Sequence, residues 1–485
     1  MKINYLQIED WCILKDFEIH FDKKISVLIG ENGSGKSSVL EAIALIFGHL
    51  YKYFVENKIN DDFIEGYSID YNITVNGVEH NIVINSISYQ PQNEDDGVFK
   101  HLLLIDDEEY TRKDADKKFK DLGGFKAFLP NSIVLYYAGL STHISDLCRH
   151  FDEKYRMQLT KGGNNYSLDN LPKERPFFFC DLKHLSNILL CLMISDKAGL
   201  DEIPNKLNID PLSVYILIEL KEPSWKKSGI ENFWGASDGA IKDFLSELNK
   251  YAYKTDFNAD KKKIVFHYVG ILNLKDMLSN LNVENKEILL FRMLDIILFN
   301  DLLFNISLKW KNSEGNVIEI DRLSEGEKQL ILTSGLASLW SVENSLLLLD
   351  EPDTFLHPKW QVDFIPRLTE IITDNQAIVT THSPLLISSM KEGDVISMKK
   401  GKASYFTLPT YGKDSNTILL QAMDSLTRVK EIDDKFIILE NLISENKLEE
   451  AKSFLDDLKD LLNDDSNPNL IRFSSIIKRK LITGK

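Results

Sequence analysis

Residues 30–37, Gly-Glu-Asn-Gly-Ser-Gly-Lys-Ser, constrain the fold of this chain more than any other stretch. They fit the phosphate-loop pattern G-x-x-x-x-G-K-[ST], which requires a strand before the loop and a helix after it. Ile25–Ile29 is short, apolar and mostly branched, as in a buried strand, and the apolar residues from Val39 to Leu50 recur at helical spacing. The order strand, glycine loop, helix therefore predicts an α/β fold with a phosphate-binding site at one edge of its sheet.

This loop carries the residue types that hold a polyphosphate. Glycines let successive backbone N–H groups converge on phosphate oxygens, and the next helix directs its free N–H groups and partial positive charge at the same anion. We expect Lys36 to reach the β- and γ-phosphates and Ser37 to place its hydroxyl on Mg²⁺. The predicted nucleotide contacts in the loop are Gly30, Glu31, Asn32, Gly33, Ser34, Gly35, Lys36, Ser37 and Ser38.

Two later strands end in polar side chains suited to the same chemistry. Leu346–Leu349 is an apolar strand closed by Asp350 and Glu351, and such carboxylates are costly to bury unless they have a role. We predict that Asp350 holds Mg²⁺ and that Glu351 orients and deprotonates an attacking water. Ala377–Thr381 leads to His382, which the strand places on the edge where open α/β sheets bind ligands. We therefore predict that His382 contacts the γ-phosphate.

A further polar segment, Leu323–Gln329, precedes an apolar helical pattern. Ser324 and Glu327 have the spacing of a capping box, in which a hydroxyl and a carboxylate satisfy the first N–H groups of a helix. Considered alone, this segment is explained as the N-terminal cap of a helix. Its position just before the Asp350–Glu351 strand also makes it a candidate for the nucleotide site.

Composition describes a globular chain of 485 residues that is long enough for two or three domains. Its net charge of −17 argues against unspecific coating of nucleic acid by the whole surface. No apolar run approaches the roughly 20 residues of a membrane span, so we expect no membrane association. The four cysteines lack metal or disulfide spacing, which predicts buried free thiols and a cytoplasmic location; they are Cys12, Cys148, Cys180 and Cys191.

Other stretches outline the remaining architecture. Alternating residues in 66–90 flank the pair Asn76-Gly77, which predicts a β-hairpin. Helical patterns follow at about 181–199, 237–250 and 284–304. Near the C-terminus, two apolar stripes predict a helical hairpin. Its outer face is acidic and carries Glu449, Glu450, Asp456, Asp457, Asp460, Asp464 and Asp465. That hairpin either packs on its own domain or docks another protein.

In order along the chain, the four motifs resemble the Walker A, signature, Walker B and switch-histidine motifs of ABC-type ATPases. The branch they resemble is the soluble one that contains SMC, RecF and the overcoming-lysogenization-defect family. Two positions depart from the pattern: Asp353 stands where Glu is commoner, and Glu325 replaces the first signature glycine.

The resemblance implies an ATP- and Mg²⁺-dependent ATPase whose two subunits form a homodimer, or a higher oligomer, around shared nucleotides. The signature segment of one subunit would face the phosphate loop of the other, which adds Ser324, Glu325, Gly326 and Glu327 to the nucleotide contacts. For the glutamine of the Q-loop, Gln90 and Gln92 are candidates, and the strand end at Tyr136–Tyr137 is a rival position.

About a hundred residues follow His382, and we expect them to be too few for the Toprim nuclease domain of the overcoming-lysogenization-defect family together with the last ATPase strands. This combination most resembles the PtuA ATPases of Septu antiphage systems, a group also found with retrons. The resemblance implies a PtuB-like HNH nuclease as partner, with a retron reverse transcriptase and its nucleic acid as further partners. The alternative is a RecF- or SMC-like repair ATPase that clamps DNA directly.

The predicted fold class is thus α/β: an ABC-type ATPase head with a mixed sheet, a mostly helical middle insertion and a C-terminal helical hairpin. We place the N-terminal lobe of the head at 1–140 and the insertion at 141–314. The C-terminal lobe of the head follows at 315–410, and the helical partner-binding segment at 411–485.

Overall fold

The computed structural model of the protein describes most of the chain in two units, Met1–Lys413 and Asp414–Lys485. The described residues are 1–485 except 57, 59–63, 65, 88–99, 139–142, 162–167, 169–174, 197–201, 237–238, 282–284, 313, 340–342, 373–374, 391–393, 407–409, 423–429, 463–466 and 484–485. The second unit begins three residues after the predicted start of the C-terminal segment. The division of the first unit at 140 and 314 stays a prediction.

The strands are β1 (Lys2–Trp11), β2 (Leu14–His20), β3 (Ile25–Ile29), β4 (Tyr67–Val75), β5 (Val78–Ile87), β6 (Lys100–Ile105), β7 (Glu108–Tyr110), β8 (Ser132–Tyr137), β9 (Phe177–Cys180), β10 (Tyr215–Lys221), β11 (Lys254–Asn258), β12 (Lys263–Val269), β13 (Leu303–Lys311), β14 (Val317–Glu319), β15 (Ser345–Asp350), β16 (Gln376–Thr381), β17 (Asp394–Lys399) and β18 (Lys402–Tyr405). The α-helices are α1 (Lys36–Leu50), α2 (Arg112–Lys118), α3 (His143–Lys161), α4 (Leu185–Ile194), α5 (Glu202–Lys206), α6 (Ala240–Tyr251), α7 (Leu272–Ser279), α8 (Lys286–Phe299), α9 (Glu325–Leu339), α10 (Pro358–Ile371), α11 (Pro384–Ser388), α12 (Ser415–Ala422), α13 (Lys430–Ser444), α14 (Leu448–Leu462) and α15 (Pro468–Thr483).

A seven-stranded mixed sheet carries the predicted site. Its strand order is β18-β17-β3-β16-β15-β8-β9, and every neighbouring pair is parallel except β17–β18. The three central strands are buried along their whole length, as expected of parallel strands covered on both faces. Because β3, β16 and β15 are neighbours and parallel, the residues that follow them meet at one sheet edge. The predicted α/β head with a mixed sheet is confirmed.

A separate six-stranded antiparallel sheet has the order β2-β1-β4-β5-β6-β7. The predicted hairpin is its β4–β5 pair, joined by Asn76 and Gly77 with φ values of 50° and 81°. Positive φ at both turn residues is typical of the two-residue turn whose twist matches that of paired strands. One face of β4 is buried and the other is partly exposed, which explains why the alternation was visible in the sequence.

The middle of the chain holds more than helices. Helices α4 and α8 lie within the predicted helical patterns, and α6 extends one residue beyond its pattern. In the described part of 141–314, more residues are helical than are in strands. A five-stranded antiparallel sheet of order β11-β12-β10-β13-β14 was not predicted. Its strand β10 buries Ile216, Ile218 and Leu220 while the intervening side chains face outward. That period-two alternation was the available signal for this sheet.

The second unit contains the predicted helical hairpin as α13 and α14, and a third helix, α15, completes its core. The buried residues of this core are Phe436, Leu439, Ile443, Ala451, Leu455, Leu458, Leu470, Phe473 and Ile477. The acidic side chains predicted for the outer face of α14 are exposed: Glu449, Glu450, Asp456, Asp457 and Asp460. Asp464 and Asp465 lie outside the described residues.

Two expectations about apolar and thiol groups need correction. Lys36–Val55, which is 20 residues long with a mean hydropathy of 1.3, is long and apolar enough by those two measures to cross a membrane. Of its most apolar window, 67% is buried inside the fold, as in the core helix of an α/β domain. Cys148, Cys180 and Cys191 are buried free thiols, but Cys12 is exposed because it lies in the turn between β1 and β2.

Candidate nucleotide-binding site

The glycine loop between β3 and α1 has the conformation that the motif predicts. Gly35 is the N-terminal cap of α1 in the left-handed region (φ 104°), and no side chain caps this helix. Gly30 has φ of 151°, and a Cβ atom there would lie 2.2 Å from the Met398 carbonyl oxygen. The loop therefore needs glycine for its backbone course, and the first N–H groups of α1 are available to an anion.

Ser34 gives an independent indication that the loop fits phosphate. Its hydroxyl oxygen is buried, and it has no hydrogen-bond partner among the described residues. Buried polar atoms in folded proteins are nearly always paired, so an unpaired hydroxyl in this position calls for an external partner. A phosphate oxygen is a partner of the right chemistry, since it accepts the hydrogen bond that the hydroxyl donates.

Lys36 is buried and turns back over the loop. Its Nζ donates to the carbonyl oxygens of Gly30 (3.0 Å) and Glu31 (3.1 Å) and lies 2.7 Å from His382 Nε2. Burial lowers the pKa of Lys36, and the carboxylates of Glu351 and Asp350 oppose that shift. The structure thus brings together the loop lysine and the predicted switch histidine, which are 346 residues apart in sequence.

Ser37 and Asp350 meet beside the loop, as predicted for a shared metal ion. Ser37 Oγ donates to Asp350 Oδ1 over 3.0 Å, and the Thr380 hydroxyl donates to the same oxygen. Burial raises the pKa of Asp350, and these two hydrogen bonds oppose the rise. A hydroxyl and a carboxylate in contact fit Mg²⁺, which is held by a few protein oxygens together with substrate phosphates and water.

Glu351 has a backbone conformation that is unusual for its residue type. Its φ is 48°, in the left-handed region, and its N–H donates to both the carbonyl oxygen and the hydroxyl of Thr380, at 3.2 and 3.0 Å. Its Oε1 lies 3.4 Å from His382 Nε2. Burial and the nearby Lys36 cation lower the pKa of His382. Strained residues of this kind cluster at functional sites.

A hydrogen-bond network behind Glu351 fixes the next turn against the histidine segment. Thr381 Oγ1 donates to Asp353 Oδ2 over 2.7 Å and accepts from the N–H of Ser383 over 2.9 Å. Ser383 Oγ donates to Gln361 Oε1, and Gln361 Nε2 donates to the Asp353 carbonyl oxygen. Burial raises the pKa of Asp353 to about 6. Aspartate at this position therefore has a structural partner in Thr381.

The predicted signature segment forms the expected capping box. Both the N–H and the hydroxyl of Ser324 donate to Glu327 Oε2, at 2.8 and 2.7 Å, and the Glu327 N–H reaches Ser324 Oγ at 3.4 Å. Glu325 pairs with Lys328 over 2.9 Å. Ser324 and Glu325 are exposed. Across the described residues, no hydrogen bond or ion pair joins this segment to the Gly30–Ser37 loop of the same chain.

Of the candidate positions for the Q-loop, the structure describes only the strand end at Tyr136–Tyr137. Gln90 and Gln92 lie outside the described residues. Tyr137, the rival position, ends β8 directly opposite Asp350 of β15 in the parallel register. Burial raises the pKa of Tyr137, and the carboxylates of Asp350, Glu351 and Glu41 add to the shift. Tyr137 therefore borders the site, whereas the place of the Q-loop glutamine stays a prediction.

Comparisons with known proteins agree with this geometry. The family described as AAA ATPase domain matches residues 1–387. The Retron Ec83 probable ATPase of Escherichia coli is 23% identical over 432 residues, covering 82% of this chain and 70% of that protein. The Septu protein PtuA of Bacillus mycoides (strain KBAB4) is 24% identical over 215 residues, covering 39% and 30%. The predicted resemblance to retron ATPases and to the Septu protein PtuA is confirmed.

Among solved structures, the SMC head domain from Thermotoga maritima is 12% identical with a TM-score of 0.34, covering 84% of this chain and 99% of that chain. A TM-score of 0.34 is too low to support an argument about the fold, which is described by the strand order given above. The family match carries the assignment, because it extends from the first strand through the glycine loop, the Asp350–Glu351 strand end and His382. The chain therefore belongs to the family of AAA ATPase domains.

Proposed function

We propose that this protein hydrolyses ATP with Mg²⁺ at the edge of its mixed sheet. One observation carries the proposal: Lys36, Ser37, Asp350, Glu351 and His382 meet there through contacts of 2.7–3.4 Å, although they come from three separate parts of the chain. In the proposed site, Lys36 and the backbone N–H groups of the loop bind the phosphates. Ser37 and Asp350 hold the metal ion, which supplies charge neutralisation on the β- and γ-phosphates when bound.

The proposed chemistry is attack of water on the γ-phosphorus. Glu351 accepts the proton of the water as the water oxygen bonds to phosphorus, and the bond to the bridging oxygen breaks to leave ADP. His382 orients the γ-phosphate. Its lowered pKa keeps the imidazole neutral near pH 7, so the ring adds no positive charge to the site and one of its nitrogens keeps a lone pair.

We further propose that two copies of the chain complete each other's sites. The support is the exposure of Ser324 and Glu325 together with the absence of bonds, within the described residues, between their segment and the loop of the same chain. In this arrangement Ser324, Glu325, Gly326 and Glu327 of one subunit contact the γ-phosphate held by Lys36 of the other. A homodimer would therefore contain two nucleotides and two composite sites.

A mixing experiment tests this arrangement. Lys36→Ala removes a loop lysine and Ser324→Arg blocks a signature segment, so either protein alone should be inactive. Mixed dimers keep one site in which an intact loop faces an intact signature, and we expect mixing to restore ATP hydrolysis that neither variant has. Phosphate release is the measurement, with Lys36→Ala mixed with wild-type protein as reference. Absence of restored activity, with mixed dimers demonstrated by differential tags, would contradict the proposal.

We also propose that the ATPase regulates a separate HNH nuclease in cytoplasmic antiphage defence. The support is the similarity to proteins named as a retron probable ATPase and as the Septu protein PtuA. The second unit is the proposed docking element, because its exposed residues combine the acidic side chains of α14 with the apolar Ile437, Ile438 and Leu461. A mixed acidic and apolar surface fits a partner with a basic and apolar one.

Removal of residues 414–485 should abolish co-purification of the nuclease from cells that express both proteins, while ATP hydrolysis by the first unit continues. A second variant keeps the unit but replaces Glu449, Glu450, Asp457 and Asp460 with lysine, and it should lose the nuclease in the same way. Mass spectrometry of the purified complex is the measurement. Retention of the nuclease by both variants would exclude this unit as the docking element.

A further inference from the structure

Gln329 links the signature segment to the catalytic turn within one chain. It lies on α9, five residues after Ser324, and it is only 2% exposed. Its Nε2 donates to the Glu351 carbonyl oxygen over 3.2 Å, and its Oε1 accepts from the N–H of Phe355 over 2.7 Å. A single side-chain amide therefore bonds both ends of the turn that begins at Glu351.

That turn is already under conformational constraint. Glu351 has left-handed φ, and its carbonyl oxygen also accepts from the Thr354 hydroxyl over 3.1 Å. Residues in such conformations persist only when their surroundings hold them. Gln329 provides two of the bonds that do so. A displacement of α9 would consequently pull on the backbone of Glu351 at one end of the turn and of Phe355 at the other.

The signature turn also packs directly on the same backbone. A Cβ atom at Gly326 would lie 2.6 Å from the Phe355 carbonyl oxygen, so the start of α9 and the catalytic turn are in close contact. Tyr136, the last but one residue of β8, also lies beside Gln329: burial raises the pKa of its phenol to about 12, and the interaction with Gln329 opposes that rise. The glutamine is thus enclosed between the sheet, the turn and its own helix.

We infer that Gln329 is a positioning residue that transmits engagement of the signature segment with the nucleotide of one composite site to Glu351 at the other site. The inference rests on the proposed dimer, in which Ser324 serves the partner's nucleotide and Glu351 serves the chain's own. A helix moves as a rigid element, and a 1 Å misplacement of a catalytic group costs about 10²-fold in rate. Hydrolysis at one site is therefore faster when the other site is occupied, and a dimer with a single intact site, as in the mixing experiment, keeps a lower rate.

Gln329→Met tests this coupling, because it keeps the length and burial of the side chain but removes both hydrogen bonds. We measure the ATP hydrolysis rate against ATP concentration, nucleotide affinity and ATP-dependent dimerisation. The wild-type protein should show a Hill coefficient approaching about 2, the number of sites. In the variant the coefficient should fall to about 1 and kcat should drop, with affinity and dimerisation kept. A merely structural role would lower all of these together.

Thr333→Val is the matched control. Thr333 is buried one turn further along α9, and within the described part of the chain its hydroxyl bonds only the Gln329 backbone carbonyl, over 2.8 Å. It should retain cooperativity. If Gln329→Met does not fold, Gln329→Asn, which shortens the side chain by one methylene, replaces it. Wild-type cooperativity in the Gln329 variant, an equal loss in the Thr333 variant, or a wild-type dimer with a coefficient of 1 would each overturn the inference. Failure of the mixing experiment above would instead reject the dimer.

Discussion

Replacing Glu351 with glutamine should reduce ATP turnover by about 10² to 10⁴-fold, the contribution typical of a positioned general base, while ATP binding continues. Glutamine keeps the shape of the side chain, and the N–H of residue 351 keeps both of its bonds to Thr380. The amide is not basic, because its nitrogen lone pair is delocalised into the carbonyl group. Glutamine therefore cannot take the proton of the water, and the variant should lose the rate of the chemical step while it keeps ATP affinity. Phosphate release gives the rate, and binding of a fluorescent ATP analogue gives the affinity.

The same variant should accumulate as an ATP-bound dimer, because the nucleotide that joins the subunits is no longer hydrolysed. Light scattering with and without ATP and Mg²⁺ measures that accumulation. Glu370→Gln is the control, since Glu370 is an exposed carboxylate on α10. Unchanged turnover in the Glu351 variant would assign the base to another group, and His382, 3.4 Å away, would be the next to replace.

Lys36→Ala should weaken ATP binding by about 100-fold or more, given that hydrogen bonds to charged groups contribute about 1.5–3 kcal/mol each and 1.4 kcal/mol is tenfold. Lys36 brings a positive charge to a loop whose other donors, the backbone N–H groups, the serine hydroxyls and the Asn32 amide, are uncharged. Titration calorimetry of ATP with Mg²⁺ measures the change in the dissociation constant. The Lys36 variant should therefore lose ATP affinity, whereas the Glu351 variant should keep ATP affinity and lose turnover.

Two checks accompany the Lys36 variant. Thermal unfolding shows whether the loop keeps its structure without the bonds to Gly30 and Glu31. Lys15→Ala removes an exposed lysine that pairs with Asp10 on the β1–β2 hairpin, and its ATP affinity should equal that of the wild-type protein. If the two alanine variants bind ATP equally well, Lys36 does not hold the phosphates.

Local patterns predicted the parts of the fold and site whose determinants are adjacent in sequence. The loop glycines, the apolar strand before Asp350 and the Ser324–Glu327 cap each depend on neighbours within a few residues, and the structure contains all three. The hairpin at Asn76–Gly77 succeeded for the same reason. Local sequence patterns of this kind predict whether a segment is a helix, a strand or a turn, and which backbone conformation its residues permit.

Contacts between distant segments could not be predicted in this way. Gln329 bonds backbone groups 22 and 26 residues away. Nearly every residue type carries the same backbone C=O and N–H groups, so the residue types at those positions do not indicate the bonds. Lys36 and His382 are 346 residues apart, and only the adjacency of β3 and β16 brings them together. The middle sheet was missed although β10 alternates between buried and less buried residues, because its strands lie among strong helical patterns.

The contact between Lys36 Nζ and His382 Nε2 links the charge of the lysine to the proton position on the imidazole ring. A charged Lys36 can only donate, so it uses the lone pair of Nε2, and the single ring proton of a neutral histidine is then on Nδ1. While that pairing lasts, Nε2 cannot donate to anything else. A triphosphate that binds Lys36 through its own oxygens would therefore also free His382 from the lysine. Binding of the nucleotide would thus make the histidine available to contact that nucleotide.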